Sequence, residues 1–461
     1  MKVKVTNLGV LKQAEFILGD LTIICGGNNT GKTYATYALF GFLSTWRRML
    51  PIPISNDNIE QLLANGVIRL DLQEYIKQYE QIVTKGCQAY TQQLPKVFAA
   101  QAERFKKTDF QVSLDIKNVR LVDSFEVTMR AVNAELFAIT KSEESTELVI
   151  TLLVEQEKIT IPLNIIIRII TDALKDILFS QLFPRPFIAS AERTGAAIFR
   201  QELNFARNRL LEEMGQADTN IAPMELLFKD YDDYALPVKT NVEFTRQLET
   251  IVKKSSFLAQ NHPDILADFA DIIGGEYTVN RNDELYYVPK GKRLKLTMDE
   301  SSSAVRSLLD IGFYLRHEAQ LGDLLMVDEP ELNLHPENQR RVARLFARLV
   351  NLGIKVFITT HSDYIIKELN TLIMLNHDKP NLKRIAEEEG YRSEELISAE
   401  KLKVYIAEEA SIKLEGKTRK TKHHTLTPAN IDPELGIEAR SFDTTIETMN
   451  RIQEAIVWGE E

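Results

Sequence analysis

Residues 21–33 read LTIICGGNNTGKT, and this stretch decides the fold class. Its first five residues are nearly all apolar, which is typical of a strand covered on both faces of a sheet. The next eight match the pattern G-x-x-x-x-G-K-[ST], and helical spacing begins at Lys32. Glycines in such a turn let main-chain N–H groups converge on an anion, and the helix start adds positive partial charge. The stretch therefore predicts a phosphate-binding turn between a strand and a helix.

The residues of this turn have different expected roles. We expect Lys32 to reach the β- and γ-phosphates of a nucleotide, and the Thr33 hydroxyl to bind Mg²⁺. The other expected nucleotide contacts in the turn are Gly26, Asn28, Asn29, Thr30 and Gly31.

A second motif lies far along the chain, where residues 324–330 read LLMVDEP. This is an apolar strand that ends in two carboxylates. At the carboxyl end of a parallel strand such side chains face the ligand crevice. We expect Asp328 to hold Mg²⁺ directly or through water, and Glu329 to orient and activate a water for attack on the γ-phosphate.

Composition limits the class of protein. The chain has 461 residues, 44% hydrophobic and 26% charged, with a net charge of −10, so we expect a globular protein of two or three units. The negative charge disfavours a surface that is basic throughout, although a local basic patch remains open. Two cysteines exclude a disulfide framework. The first residues carry no apolar run of signal-peptide length, and we expect a cytoplasmic protein without membrane spans.

The order of predicted elements divides the chain into four parts. The first, 1–165, holds the phosphate loop, a helical insert at about 50–108 and an antiparallel meander at 109–163. A helical insertion follows over 166–275. Alternating helices and strands over 276–375 indicate parallel strands with crossover helices, including a long helix at 302–318. The last part, 376–461, reads as an irregular extension with a hairpin at 402–428 and a final helix, suited to partner binding or oligomerisation.

Residues 327–339, VDEPELNLHPENQ, resemble the second nucleotide motif and dimer-contact loop of ABC-type ATPases. The resemblance implies an α/β fold of the P-loop type, with a mixed sheet flanked by helices, an antiparallel β lobe and a helical insertion. It implies ATP as the nucleotide, and His361 as the switch histidine at the γ-phosphate. Ser302 and Ser303 stand where the family carries its signature, although Ala304 replaces the common glycine. Two heads would then pair, with each serine pair closing over the other chain's ATP.

Within this class the chain resembles RecF-like and overcoming-lysogenisation-defect-like ATPases. The phosphate loop, the segment 190–195 and the stretch THSDYIIKEL are similar to the ATPases of bacterial anti-phage systems such as Septu, PARIS and retron systems. That resemblance implies an ATPase that senses infection or scaffolds a separate effector, which is expected to be a nuclease. A fused nuclease domain would need an Asp-x-Asp pair after His361, and none follows, so we expect the nuclease to be a separate chain. Two alternatives stay open: a RecF-like DNA-repair ATPase, and a scaffold that binds ATP with negligible turnover.

Two further segments carry open interpretations. Residues 190–195, SAERTG, either shape the nucleotide pocket or an interface, or form a plain strand-to-helix turn. The basic cluster at 413–424 suits contact with DNA, RNA or an acidic partner, or forms a solvated hairpin turn.

Overall fold

The computed structural model describes residues 1–115, 121–131, 134–153, 162–199, 234–280, 284–438 and 440–458. The chain divides into two compact units built from discontinuous segments. Unit 1 contains residues 1–4, 42–93 and 109–184; unit 2 contains residues 5–41, 94–108 and 185–461. The predicted division into four consecutive parts stays a prediction.

The strands of the described residues are β1 (Lys2–Leu8), β2 (Leu11–Ile17), β3 (Leu21–Cys25), β4 (Val67–Asp71), β5 (Asp109–Ser113), β6 (Phe125–Ala131), β7 (Ala134–Lys141), β8 (Glu147–Leu152), β9 (Pro186–Ala189), β10 (Gly275–Val279), β11 (Leu285–Pro289), β12 (Leu324–Asp328), β13 (Lys355–Thr360), β14 (Leu402–Lys413), β15 (Lys420–Pro428), β16 (Ile431–Asp432) and β17 (Gly436–Ile437).

The helices of the same residues are α1 (Lys32–Met49), α2 (Asn56–Asn65), α3 (Leu72–Lys77), α4 (Tyr79–Thr91), α5 (Leu94–Val97), α6 (Leu163–Phe179), α7 (Arg193–Ile198), α8 (Leu236–Arg246), α9 (Leu248–Ile251), α10 (Phe257–Asn261), α11 (Pro263–Ile273), α12 (Ser303–Ser307), α13 (Leu309–Phe313), α14 (Pro336–Asn351), α15 (Asp363–Met374), α16 (Pro380–Glu388) and α17 (Arg440–Trp458). A π-helical turn spans Tyr314–Glu318, and short 3₁₀ turns span Ala102–Phe105, Ser393–Glu395 and Ala399–Lys401.

A six-stranded sheet organises unit 2, in the order β15-β14-β3-β13-β12-β9. The five strands from β14 to β9 run parallel, and β15 pairs antiparallel with β14, so the sheet is mixed as predicted. Both β3 and β12 are buried at every residue. This explains why they read as continuous apolar runs rather than as alternating ones.

The register of the parallel strands places their carboxyl ends at one edge. Asp328 stands beside Thr359, Thr360 beside Cys25, and Cys25 beside Ile406. On the other side, Val327 stands beside Ala189. The segments that follow these strands, including the phosphate loop, therefore emerge together at the edge where ligands bind in parallel sheets.

Unit 1 contains a four-stranded antiparallel sheet of order β4-β8-β7-β6. The predicted meander is confirmed for β6 and β8. Its first predicted strand, at 110–116, is wrong for this sheet, because β5 lies outside it, and its last, at 158–163, lies mostly outside the described residues. Aromatic side chains also pack together within this unit: Phe42 of α1 contacts Tyr90 of α4 and Phe183 of the turn after α6, with ring centroids 5.5 and 5.3 Å apart.

Several predicted elements were wrong in detail. Residues 58–108 contain the strand β4 as well as helices, because 67–71 alternates exposed and buried residues and pairs with β8. The predicted helix at 302–318 is broken at Leu308 into α12, α13 and a π-helical turn. The segment after 376 is not irregular: the predicted hairpin exists, but its strands β14 and β15 belong to the six-stranded sheet. Residues 293–297, RLKLT, alternate polar and apolar residues and so predict a strand, but they form only one bridge, between Tyr287 and Leu296.

Within the part of the chain that the structure describes, no helix has the length and apolar character needed to span a membrane.

Candidate functional site

The phosphate loop connects the buried strand β3 to α1. Its lysine, Lys32, is 6% exposed, and its Nζ donates to the carbonyl oxygens of Gly26 and Gly27 at 3.0 and 2.8 Å. The Thr30 hydroxyl donates to the Gly27 oxygen at 2.8 Å. Gly26 needs to be glycine: its φ is +140°, and a Cβ there would lie 2.5 Å from the carbonyl oxygen of Ala407 on β14. The neighbouring strand thus fixes the start of the loop.

Asp328 lies directly opposite the loop's threonine. The Thr33 hydroxyl and a carboxylate oxygen of Asp328 are 3.4 Å apart, and the second carboxylate oxygen accepts a hydrogen bond from the Thr359 hydroxyl. Asp328 is 1% exposed, and its burial raises its pKa to about 6, with the hydroxyl of Thr359 lowering it and the charge of Glu329 raising it. A buried carboxylate of this kind is stabilised in its charged form by a cation.

Thr33 and Asp328 together fit a magnesium ion. Both offer hard oxygen ligands, and Mg²⁺ is usually held by one or two such protein groups together with substrate phosphates and water. The described residues contain no cluster of three or more His, Cys, Asp or Glu side chains that could hold a metal ion. Phosphate oxygens and water would therefore complete the coordination.

The side chain of His361 lies beside two carboxylates, those of Glu329 and Glu331. The Nδ1 atom of His361 is 3.7 Å from a carboxylate oxygen of Glu329 and 3.2 Å from one of Glu331. Glu331 is 7% exposed and also accepts the main-chain N–H of His361 at 2.8 Å. The predicted pair of Glu329 and His361 is thus brought together. The role of Glu331 in fixing His361 was missed, although it lies within the quoted acidic motif.

Burial, and not the surrounding charges, disfavours the charged form of Lys32. Burial lowers the pKa of Lys32, and the carboxylates of Glu329, Asp328 and Glu331 oppose this in that order. A lysine whose nearest fixed hydrogen bonds go to neutral carbonyl oxygens gains more from a phosphate anion than from its present partners.

The two predicted signature serines stand at the start of α12. Ser302 caps this helix, and its hydroxyl accepts from the N–H of Val305 at 3.3 Å. Among the described residues no hydrogen bond joins Ser302 or Ser303 to the phosphate loop. Their expected contact with the ATP of a second chain stays a prediction.

The segment 190–195 follows β9 at the same edge of the sheet. Its Glu192 accepts a hydrogen bond from the hydroxyl of Tyr37 on α1 at 3.0 Å, and its Arg193 is buried beside the acidic strand end. The interpretation of 190–195 as a plain turn is therefore incomplete, because both charged residues contact elements of the site.

Fold and site together define an α/β ATPase domain of the P-loop type, built as an ABC-ATPase-like mixed sheet with flanking helices. Residues 1–366, about four fifths of the chain, match the family described as the AAA ATPase domain. The chain therefore belongs to that family.

Solved structures similar to the chain include three SMC head domains. One is an SMC head bound to the C-terminal winged-helix domain of ScpA, with 12% identity, coverage of 92% of this chain and 97% of that one, and a TM-score of 0.33. The head from Thermotoga maritima has 10% identity, coverage of 91% and 97%, and a TM-score of 0.29. An SMC head with an extended coiled coil, bound to a ScpA domain derived from Pyrococcus furiosus, has 12% identity, coverage of 98% for both and a TM-score of 0.29. No curated protein matches the chain.

Proposed function

We propose that this chain binds ATP with Mg²⁺ and hydrolyses it at the edge of the six-stranded sheet. One observation carries the proposal: the Thr33 hydroxyl and the Asp328 carboxylate lie 3.4 Å apart although they are 295 residues apart in the chain. A hydroxyl after the phosphate-loop lysine and a carboxylate at a strand end are the pair that holds Mg²⁺ in P-loop ATPases. The bound ion would neutralise charge on the β- and γ-phosphates.

Different residues of the site bind the phosphates and activate the attacking water. Main-chain N–H groups of 26–31 and the ammonium of Lys32 bind the phosphates. Glu329 orients a water and takes its proton at the carboxylate as the water attacks. His361, held by Glu331, contacts the γ-phosphate.

Two substitutions test binding and hydrolysis separately. Lys32→Ala removes a charge-assisted contact and is expected to weaken ATP binding about 10- to 150-fold. Glu329→Gln is expected to keep ATP affinity and to lower phosphate release roughly 100-fold or more, since general base catalysis contributes about 10²–10⁴. The exposed Glu337→Gln on α14 is the control. Wild-type protein that retains ATP without releasing phosphate would instead favour the scaffold with negligible turnover.

We further propose that two chains pair through ATP, with Ser302 and Ser303 of each closing over the nucleotide of the other. The predicted serines have no link to their own chain's phosphate loop within the described residues, which agrees with a partner in trans. ATP then acts as a removable cross-link, and hydrolysis loosens the pair. Measuring the mass of Glu329→Gln in solution tests this: it should double with ATP and Mg²⁺. An unchanged mass and shape contradicts pairing.

The biological role that we propose is anti-phage defence, in which the ATPase senses or scaffolds and a separate effector, expected to be a nuclease, acts. The support is the motif resemblance of GGNNTGKT and THSDYIIKEL. Co-expression with the product of the adjacent gene tests this role. Joint purification, toxicity of that product alone and loss of phage protection in Lys32→Ala are expected; protection without the adjacent gene contradicts the proposal.

Nucleic-acid binding is a second candidate, favoured by the outer part of the β14–β15 hairpin. Beyond Ile406 the strand β14 is no longer paired with β3, and its ladder with β15 continues; we call this outer part of the hairpin, residues 408–424, the basic arm. Five exposed cations lie on it: Lys413, Lys417, Arg419, Lys420 and Lys422. Lys413 and Lys420 stand directly opposite each other, an arrangement that costs stability without an anion between them.

Salt dependence distinguishes this candidate from a DNA-independent defence ATPase. If the five cations contact phosphates, the logarithm of the binding constant should fall with a slope of about −4 to −5 against the logarithm of salt concentration for duplex DNA. Replacing all five by Gln should remove the binding. Replacing five exposed lysines elsewhere (Lys85, Lys106, Lys107, Lys253 and Lys367) gives a control with the same net charge. Equal affinity of both variants would exclude the arm as the DNA contact.

A further inference from the structure

A buried arginine beside the acidic strand end has no role in the binding and hydrolysis described above. Arg193, at the start of α7, is 1% exposed and is among the largest fully buried side chains of the described residues. Its guanidinium donates to four main-chain carbonyl oxygens: Nε to Ser307 at 2.6 Å, Nη1 to Ser190 at 2.8 Å and to Asp328 at 2.6 Å, and Nη2 to Glu329 at 2.8 Å. One side chain thus joins three separate segments.

This arrangement is costly, which argues for a role beyond packing. Burial lowers the pKa of Arg193, with the charge of Asp310 as the largest opposing influence. Asp310 is itself 1% exposed, and neither of its carboxylate oxygens has a hydrogen-bond partner within the described part of the chain. A buried guanidinium and a buried carboxyl group without a direct hydrogen bond between them cost several kcal/mol, and an apolar pair of similar volume would be cheaper.

The carbonyl oxygens bound by Arg193 show that it connects the acidic strand end to α12. Two of them belong to Asp328 and Glu329, at the acidic strand end, and one belongs to Ser307, at the last residue of α12. Glu329 has a φ of +52°, a conformation that a non-glycine residue adopts at a cost of roughly 1–3 kcal/mol. Such a backbone persists only where neighbours hold it, and here Arg193 holds its carbonyl oxygen while Thr359 accepts its N–H at 3.0 Å.

We infer that Arg193 is a positioning residue: it fastens the strained backbone of Glu329 to the end of α12, so the direction of the Glu329 carboxylate depends on where α12 lies. The inference rests on the proposed role of Glu329 as general base. It adds a regulation of that role, because any displacement of α12, which begins at the two signature serines, reaches Glu329 through one guanidinium. Turnover is then tied to the position of the helix that is proposed to meet the second chain.

Three substitutions at Arg193 test the inference. Lys keeps the charge but carries its donors on a single nitrogen, Gln keeps donors without charge, and Met removes both at similar length and leaves the four carbonyl oxygens unpaired. A second buried arginine provides the control: Arg348 on α14 is 5% exposed and pairs with Asp264 and Asp268. Arg348→Lys disturbs a buried cation without touching the acidic strand end.

The expected result separates binding from turnover. All three Arg193 variants should keep ATP affinity within about threefold, while turnover falls roughly 10- to 100-fold in the order Lys, Gln, Met. In the Glu329→Gln background, Arg193→Lys should change the residual turnover by less than about twofold, because its effect passes through Glu329. Arg348→Lys should lower the melting temperature and leave turnover within about twofold.

Two results would overturn the inference. The first is an equal loss of turnover from Arg193→Lys in the wild-type and Glu329→Gln backgrounds, since that shows an effect independent of Glu329. The second is a loss of ATP affinity as large as the loss of turnover, which shows general damage to the site. Both leave the proposed ATPase intact. If instead Glu329→Gln matches wild-type turnover, the proposed function fails and the inference fails with it.

Discussion

At the scale of single residues, the burial of Asp310 leads us to expect a pH-dependent free energy of unfolding. Burial raises its pKa from 3.8 to about 7, and the charge of Arg193 only partly opposes this. Because the folded state holds the proton more tightly than the unfolded chain, Asp310 contributes stability below about pH 4 and loses it as pH rises through 7. We expect Asp310→Asn to gain stability relative to wild type over that interval, by up to roughly 4 kcal/mol.

Denaturant unfolding of both proteins between pH 4 and 8 measures this difference. The gap should be smallest at pH 4 and should widen toward pH 7. The exposed Asp299→Asn serves as control, with an expected change within about 0.5 kcal/mol at every pH. A gap that stays constant with pH would show that Asp310 is ionised throughout, paired with Arg193.

The residues of the site differed in how well the sequence predicted them. Lys32, Thr33, Asp328, Glu329 and His361 belong to motifs whose chemistry depends on the side chain, and the structure brings them to one edge of the sheet. Their roles in ATP hydrolysis stay predictions. The contacts of Arg193 had no such signal, because main-chain carbonyl oxygens accept its hydrogen bonds and any residue type supplies a carbonyl.

At the scale of elements, the strand β14 and the phosphate loop depend on each other at Gly26. A methyl group there would lie 2.5 Å from the carbonyl oxygen of Ala407, and the φ of +140° disfavours any side chain. We expect Gly26→Ala to cost about 1–3 kcal/mol and to weaken ATP binding, since either β14 or the loop must move. Gly27→Ala is the matched control, because its nearest new contact is a methyl carbon of Thr30 at 4.0 Å.

Thermal unfolding and ATP titration of both variants provide the measurement. If Gly27→Ala destabilises the protein as much as Gly26→Ala does, the contact with β14 is not the cause, and general intolerance of side chains in the loop explains both.

Elements were predictable where one physical signal dominated. The strands β3 and β12 were recognised because burial on both faces requires continuous apolar residues. For the residues of β4 the sequence predicts helix, because these five residues lie between helices and their partner β8 follows about 80 residues later in the chain. Membership of β14 in the central sheet was equally hidden: a hairpin signal is local, but the parallel neighbour of β14 is β3, and local sequence does not report such a pairing.

At the scale of the whole molecule, the proposed pairing of heads predicts complementation between two inactive variants. Lys32→Ala disables the phosphate loop but keeps its own serines, and Ser303→Ala keeps its phosphate loop but lacks a complete serine pair. In a symmetric pair each site takes the loop of one chain and the serines of the other. A mixed pair therefore contains one intact site and one site with both defects.

An equal mixture of the two variants should thus recover ATP turnover that neither has alone. Random pairing makes half of the pairs mixed, with one intact site of two, so about a quarter of wild-type turnover is expected. The control is a mixture of Lys32→Ala with Glu329→Gln. Each site takes both Lys32 and Glu329 from the same chain, so every site in this mixture carries one of the two changes and none is intact. If the first mixture shows only the average of its components, each chain completes its own site, and the pairing of heads through ATP is wrong while the geometry of Lys32, Thr33 and Asp328 still supports an ATPase.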